Sequence, residues 1–132
     1  MKKVLVADGN SEELRNTISD AFKHLGLNPT TASSARTALA IFESALARGE
    51  PFDLIIVDFD LPAQGGIWLA AQIRNLSEKV DIALMSNAAD DEVTHKAINA
   101  AIILLKLRAP LIKPFAYVEL EALVSSCGAA EA

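Results

Sequence analysis

Four polar residues each stand directly after a short apolar run, and their side chains make a coherent chemical set. Asp8 follows residues 4–7, Asp58 follows 54–57, Ser86 follows 80–85 and Lys113 follows 110–112. Two carboxylates, a hydroxyl and an ammonium suit a divalent cation together with a phosphoryl group. A hard cation such as Mg2+ takes one or two carboxylates and completes its shell with waters and phosphate oxygens. An aspartate can carry a phosphoryl group as a covalent intermediate. A lysine neutralises charge there, and a serine hydroxyl hydrogen-bonds a phosphoryl oxygen. Taken singly, each residue has a plainer reading as a turn former, a helix cap or a solvated charge. Their succession at the ends of apolar runs is what raises the chemical reading above the plain one.

The elements that must position these residues alternate between two hydrophobic periods. Residues 4–7 read as a buried strand, followed by a helix with Leu14, Ile18, Ala21, Phe22 and Leu25 at helical spacing. Asn10 or Ser11 can cap that helix, and Gly26 ends it. Residues 27–32 form a weaker strand that contains Pro29, which belongs at a sheet edge because proline donates nothing to a ladder. A helix opens at Ser33 or Ser34, with Ala38, Leu39, Ile41, Phe42, Ala45 and Leu46 on its apolar side. Residues 54–57 are apolar on both faces, as a central parallel strand must be. After Gly65 and Gly66 comes a helix carrying Ile67, Leu69, Ala70 and Ile73. A fourth strand at 80–85, a long helix at 90–107, a short strand at 110–112 and a last helix at Tyr117–Ser126 complete the series.

Five strands alternating with five helices predict a flavodoxin-like three-layer α/β fold. Its parallel sheet is expected in the order 2-1-3-4-5, with helices on both faces. In such sheets ligands bind beyond the carboxyl ends of the strands, where all four polar residues fall. A single domain over residues 1–127 is expected, with a short tail at 128–132.

Composition narrows the function further. The chain has 132 residues, 52 % of them hydrophobic and 22 % charged, which excludes disorder for the bulk of it. A net charge of −5 and the lack of any Lys/Arg run argue against binding a nucleic-acid backbone. The apolar run at 4–7 is too short for a secretory signal, and the longest, at 100–105, falls far below a membrane span. A cytoplasmic location without membrane contact is the expectation. The lone Cys127 makes no internal disulfide and reads as inert. His24 and His95 read as surface residues, and Trp68 as a packing residue near the Gly65 loop.

Together KVLVAD at 3–8, FDLIIVDFDLP at 52–62, Gly66 eight residues past Asp58, IALMS at 82–86 and LIKPF at 111–115 resemble the receiver domain of two-component response regulators. The resemblance covers essentially the whole chain. It implies that Asp58 is the phosphoacceptor, with Ser86 as the switch hydroxyl and Lys113 as the pocket lysine ahead of a cis bond to Pro114. It also implies Mg2+ held by Asp8, Asp58 and the backbone carbonyl of Asp60. The implied partners are a histidine kinase or phosphotransfer protein and a downstream protein target. The implied chemistry is phosphoryl acceptance with at most weak autophosphatase activity, rather than enzymatic turnover.

Three departures from the family pattern carry consequences. Gly9 stands where a second acid is usual, so Mg2+ affinity is expected to fall unless Glu12 or Glu13 compensates. Pro110 replaces the aromatic switch residue three positions before the lysine. Ser86 and Lys113 lie 27 residues apart, and the segment 98–107 of the helix at 90–107 is apolar nearly all round. Since a surface helix should show one apolar stripe, a homodimer or partner surface is expected on it and on the strand and helix after it. Two other functions compete. One is a degenerate receiver acting as a phosphorylation-independent interaction module. The other is an Asp-nucleophile phosphatase, suggested by Asp58-x-Asp60 and disfavoured by Pro62 and by the motif's place on the third strand. No output domain fits in this length, so either a stand-alone receiver or a piece of a larger protein is expected.

Overall fold

The computed structural model describes residues 3–9, 12–87, 89–113 and 115–127. Among them the chain runs β1 (Val4–Ala7), α1 (Glu12–His24), β2 (Thr30–Ala32), α2 (Ala35–Ala47), β3 (Leu54–Asp58), α3 (Gly66–Leu76), β4 (Asp81–Asn87), α4 (Glu92–Leu105), β5 (Leu111–Lys113) and α5 (Tyr117–Ser126). The strands form one sheet in the order β2-β1-β3-β4-β5, every pair parallel. This is the expected flavodoxin-like arrangement. The capping of α1 by Asn10 or Ser11, the Lys113–Pro114 bond, the side chains of Glu12 and Glu13 and the tail at 128–132 lie outside the described residues.

Period-two alternation divides the strand residues between two cores. Leu5, Ala7, Ile55, Val57, Ile82 and Leu84 meet Ala38, Phe42, Leu69, Ile73 and Ile98 of α2, α3 and α4. Val4, Val6, Leu54, Ile56, Ala83 and Met85 meet Ile18 and Phe22 of α1 and Leu120 and Leu123 of α5. Both faces of the central strands are therefore covered, which explains their unbroken apolar runs. Burying a side chain such as Ile55 or Leu84 contributes about 1.5–3 kcal/mol. That leaves the carboxyl ends as the place where polar side chains can stand.

Several predicted boundaries move inward. β2 begins at Thr30, not at residue 27, because Pro29 cannot join the ladder, and it lies at the sheet edge as expected. Ser34 caps α2, its hydroxyl accepting from the Thr37 amide at 3.2 Å. α4 is shorter than the 90–107 read from its apolar run. Asp91 caps its start, accepting from the Thr94 amide at 2.8 Å, and Lys106 ends it in the left-handed conformation at φ 56°. The amide of Leu107 then turns back to the carbonyl of Ile102 at 3.0 Å, and Leu107 is buried. The apolar tail of the run serves the turn that follows the helix.

One side chain ties this turn to its neighbour. The Arg74 guanidinium donates to the main-chain carbonyls of Ser77, Glu78 and Val80 in the α3–β4 connection, and to those of Leu105 and Lys106 at the end of α4. Five acceptors on one fork fix two chain reversals at the amino end of the sheet, and the shorter, single-charge head of lysine cannot span them. Replacing it, as Arg74→Met, is expected to cost about 2–3 kcal/mol, within the range for hydrogen bonds to charged groups. Urea unfolding should show a lower midpoint at unchanged slope.

Candidate functional site

Four of the five strands deliver a polar residue to the same rim. Asp8 lies one residue beyond β1, where its amide donates to the Ala32 carbonyl at 3.0 Å and extends the β1–β2 pairing. Asp58 is the last residue of β3, opposite Met85 of β4. Ser86 is one step further along β4, opposite Ile112, and Lys113 ends β5 opposite Asn87. Asp8, Asp58 and Ser86 are buried polar residues, at 0, 1 and 4 % exposure. The regular strand positions them, because each side chain inherits its direction from the apolar residues packed behind it.

The Lys113 ammonium joins the set. It lies 2.8 Å from Oδ2 of Asp58 and 3.8 Å from Oδ2 of Asp8. The other oxygen of Asp58, Oδ1, accepts from the Asp60 amide at 3.0 Å. Two buried carboxyl groups thus converge on one ammonium. Arg15 of α1 donates to the main-chain carbonyl of Asp8 at 3.0 Å, which fastens the β1 end from the helix side.

The loop after Asp58 is held as tightly as the strand. A Cβ on Gly66 would come within 2.3 Å of the Asp58 carbonyl oxygen, and the Gly66 amide donates to the Phe59 carbonyl at 3.0 Å. Room for the Asp58 backbone, not an unusual φ, is what requires glycine here. The amide of Phe59 donates to the Met85 carbonyl at 2.9 Å, so the turn starts with its backbone already paired.

Asp60 stands exposed on the rim. Partial burial raises its carboxyl above the ordinary aspartate range, the negative charges of Asp58 and Asp90 raise it further, and Lys113 opposes them. Asp90 was not singled out in the sequence. Its Oδ2 accepts from the Asn87 amide at 2.9 Å, and Asn87 Oδ1 accepts from the Ala89 amide at 3.0 Å. Asn-x-x-Asp after a strand is a turn signature, the one local signal that marks this loop. His24 and His95 are exposed, Cys127 is buried against the α1–α5 core, and Trp68 is half-buried with the Arg36 guanidinium 6.0 Å from its ring.

The donor set fits a hard cation in one respect and falls short in another. Asp8 and Asp58 supply two carboxylates at one point, as many as Mg2+ ordinarily takes from protein. Among the described residues no group of three or more His, Cys, Asp or Glu side chains gathers to hold a metal. A cation here would keep much of its water.

Fold and site together define a parallel α/β domain with buried carboxylates and a lysine at the carboxyl edge of its sheet. Residues 4–125 match the response regulator receiver domain model, and the chain belongs to that family. Among solved structures it is similar to the Vibrio cholerae chemotaxis protein CheY4, at 25 % identity and TM-score 0.76 over 96 % of this chain and 98 % of that one. It is also similar to a response regulator receiver domain protein from Clostridium thermocellum, at 24 % identity and TM-score 0.80 over 96 % and 93 %. A CheY-like receiver domain protein from Methanospirillum hungatei aligns at 21 % identity and TM-score 0.78 over 96 % and 92 %, a likeness of fold. No curated protein matches the chain by sequence. No described helix is long and apolar enough to cross a membrane.

The charge arrangement predicts unequal mutational costs. Lys113→Met strands two buried carboxylates and is expected to cost about 3 kcal/mol or more. Asp58→Asn leaves Asp8 and Lys113 as a balanced pair and is expected to be neutral or stabilising. Chemical denaturation of the two variants beside wild type checks this order. Asp60 titrates in the opposite sense from a salt-bridged aspartate. Its raised carboxyl burdens the fold above that pKa and stops doing so below the ordinary value of 3.8, where folded and unfolded states are both protonated. Asp60→Asn should therefore raise the unfolding midpoint at neutral pH, and the gain should vanish on acidification.

Proposed function

We propose that the domain receives a phosphoryl group on Asp58 from a phosphohistidine of a kinase or phosphotransfer protein and signals through protein contacts. The observation that carries this is the buried Asp58 carboxylate at the carboxyl edge, 2.8 Å from the Lys113 ammonium. An oxygen of Asp58 attacks the phosphorus, the O–P bond forms as the N–P bond breaks, and the electron pair returns to the imidazole, which takes a proton from solvent. Lys113 neutralises the phosphoryl oxygens once they displace it from the carboxylate, and Ser86 donates its hydroxyl to one of them. Mg2+, held by Asp8, Asp58 and the carbonyl of Asp60, would supply further neutralisation of charge on the phosphoryl group. The domain spans residues 1–127 and works in the cytoplasm as an acceptor, with no substrate turnover beyond slow loss of its own phosphoryl group.

A specific feature favours a second reading, a receiver that acts by contact alone. Ile103 and Leu104 on α4 are 77 and 79 % exposed, and Ile112 of β5 and Tyr117 and Val118 of α5 are exposed as well. Large apolar side chains left exposed on these elements support a partner or a second copy of the chain. Pro110, where an aromatic switch would stand, offers no aromatic ring to couple those residues to Ser86.

The two readings separate in one experiment. With millimolar Mg2+ and acetyl phosphate, intact-mass measurement should show one added phosphoryl group on wild type and none on Asp58→Asn, and beryllofluoride should perturb the Ser86 and Lys113 amide resonances. No modification under these conditions, together with a stable dimer at micromolar concentration that Leu104→Glu dissociates, would replace the first reading by the second.

A further inference from the structure

A cavity of about 560 Å3 opens between α1 and α5 at the carboxyl edge of the sheet. Ile18 and Ala21 of α1 line one side of it, and Phe115, Tyr117 and Leu120 the other. Small-molecule sites have this size, and they combine apolar walls with a few placed polar groups. Here the polar groups come from the strand ends. Asn87 and Lys113 both line the cavity, and as register partners on β4 and β5 they leave the sheet on the same face. The Oδ1 of Asn87 already accepts from the Ala89 amide, so its NH2 is the group it can offer. The Lys113 ammonium carries three protons. Among the described residues it has one acceptor at hydrogen-bond distance, Asp58 at 2.8 Å, since Asp8 lies 3.8 Å away. One end of an apolar cavity is thus furnished with two adjacent donors.

We propose that this cavity binds a small uncharged molecule with an apolar body and a carbonyl oxygen at one end, the oxygen accepting from Lys113 and Asn87. A carboxamide or a ketone has that chemistry. A carboxylate head is disfavoured twice over: it would be the third carboxyl group around one ammonium, and the apolar walls oppose any charge. A docked helix is disfavoured by length. The cavity touches α1 over residues 17–21 and α5 over 117–120, about one turn of each. A helix seated in a groove needs anchors spread over two turns. The rings of Phe115 and Tyr117 favour an aromatic body over a branched one. The ammonium that meets the ligand also holds Asp58, so occupation of the cavity and the state of that carboxyl group are linked through one side chain. Binding itself requires neither Mg2+ nor a phosphoryl group.

Titration of the intact, isotope-labelled chain with phenylbutyramide and with phenylbutyrate, the acid of matching shape, tests this through backbone amide shifts. The carboxamide should shift Ile18, Ala21, Lys113 and Leu120 saturably, and the acid should bind about tenfold more weakly. Ala21→Leu, which fills the cavity, should weaken the carboxamide about tenfold. Tyr117→Ser, at an exposed position where folding tolerates the change, should weaken it about threefold by removing one wall. Thermal unfolding of both variants confirms that they are folded. No saturable shift at these residues, an acid that binds as tightly as the carboxamide, or wild-type affinity in both variants overturns the proposal. Shifts caused by a helical phosphotransfer domain and by neither probe overturn it as well, and assign the cavity to a protein interface. Since no phosphodonor or Mg2+ is added, any of these failures leaves the acceptor role of Asp58 standing.

Discussion

The contact of the Lys113 ammonium with the Asp58 carboxylate, at 2.8 Å and shared at 3.8 Å with Asp8, is the constraint around which the carboxyl edge is organised. Two carboxylates at 0 and 1 % exposure could not be held next to each other by hydrophobic packing alone, because desolvation and mutual repulsion both oppose it. The ammonium offsets both. To reach it, β5 must lie beside β4 at a register that sets Lys113 opposite Asn87, and β3 must end opposite Met85. The parallel sheet is thus both the source of stability, through its two apolar faces, and the frame that holds a charged cluster at its rim.

Around this cluster the loops are fixed by backbone contact more than by side-chain bonding. Gly66 admits the Asp58 carbonyl and Gly9 admits the Pro62 ring, and either contact would be lost to a single methyl group. At the opposite end, Arg74 gathers carbonyls from two reversals and sets where α4 stops. The two ends differ in what they gather: at the carboxyl edge two buried carboxylates and an ammonium, and at the amino edge main-chain carbonyls held by one guanidinium. The exposed apolar surface on α4, β5 and α5 lies outside both systems, so its occupation by a partner need not disturb the sheet.

Much of this was legible in the chain. Residues 4–7 and 54–57 were apolar on both faces because they are central strands, and Pro29 marked an edge because a missing amide is tolerated only there. The ends of those runs named Asp8, Asp58, Ser86 and Lys113, since a buried strand can show a polar side chain only where it leaves the sheet. Less visible was the stop of α4 at Leu105. Helical periodicity continues through Lys106 and Leu107, and the left-handed residue that ends it is a lysine rather than glycine. Asp90 was passed over because a single carboxylate in a loop has no periodicity to declare it.

By itself the sequence determined the class of fold, the strand order and the four residues at the rim, because these follow from local periods and from which residues a buried strand tolerates. Only the tertiary structure decided the distances between Lys113 and the two carboxylates, the close approach of Pro62 and Ser33 to Gly9, and the reach of Arg74 across two loops. Those facts are sums of many packing contacts between segments remote in the chain. A contact between position 9 and position 62 exists only once the sheet has brought the two loops side by side.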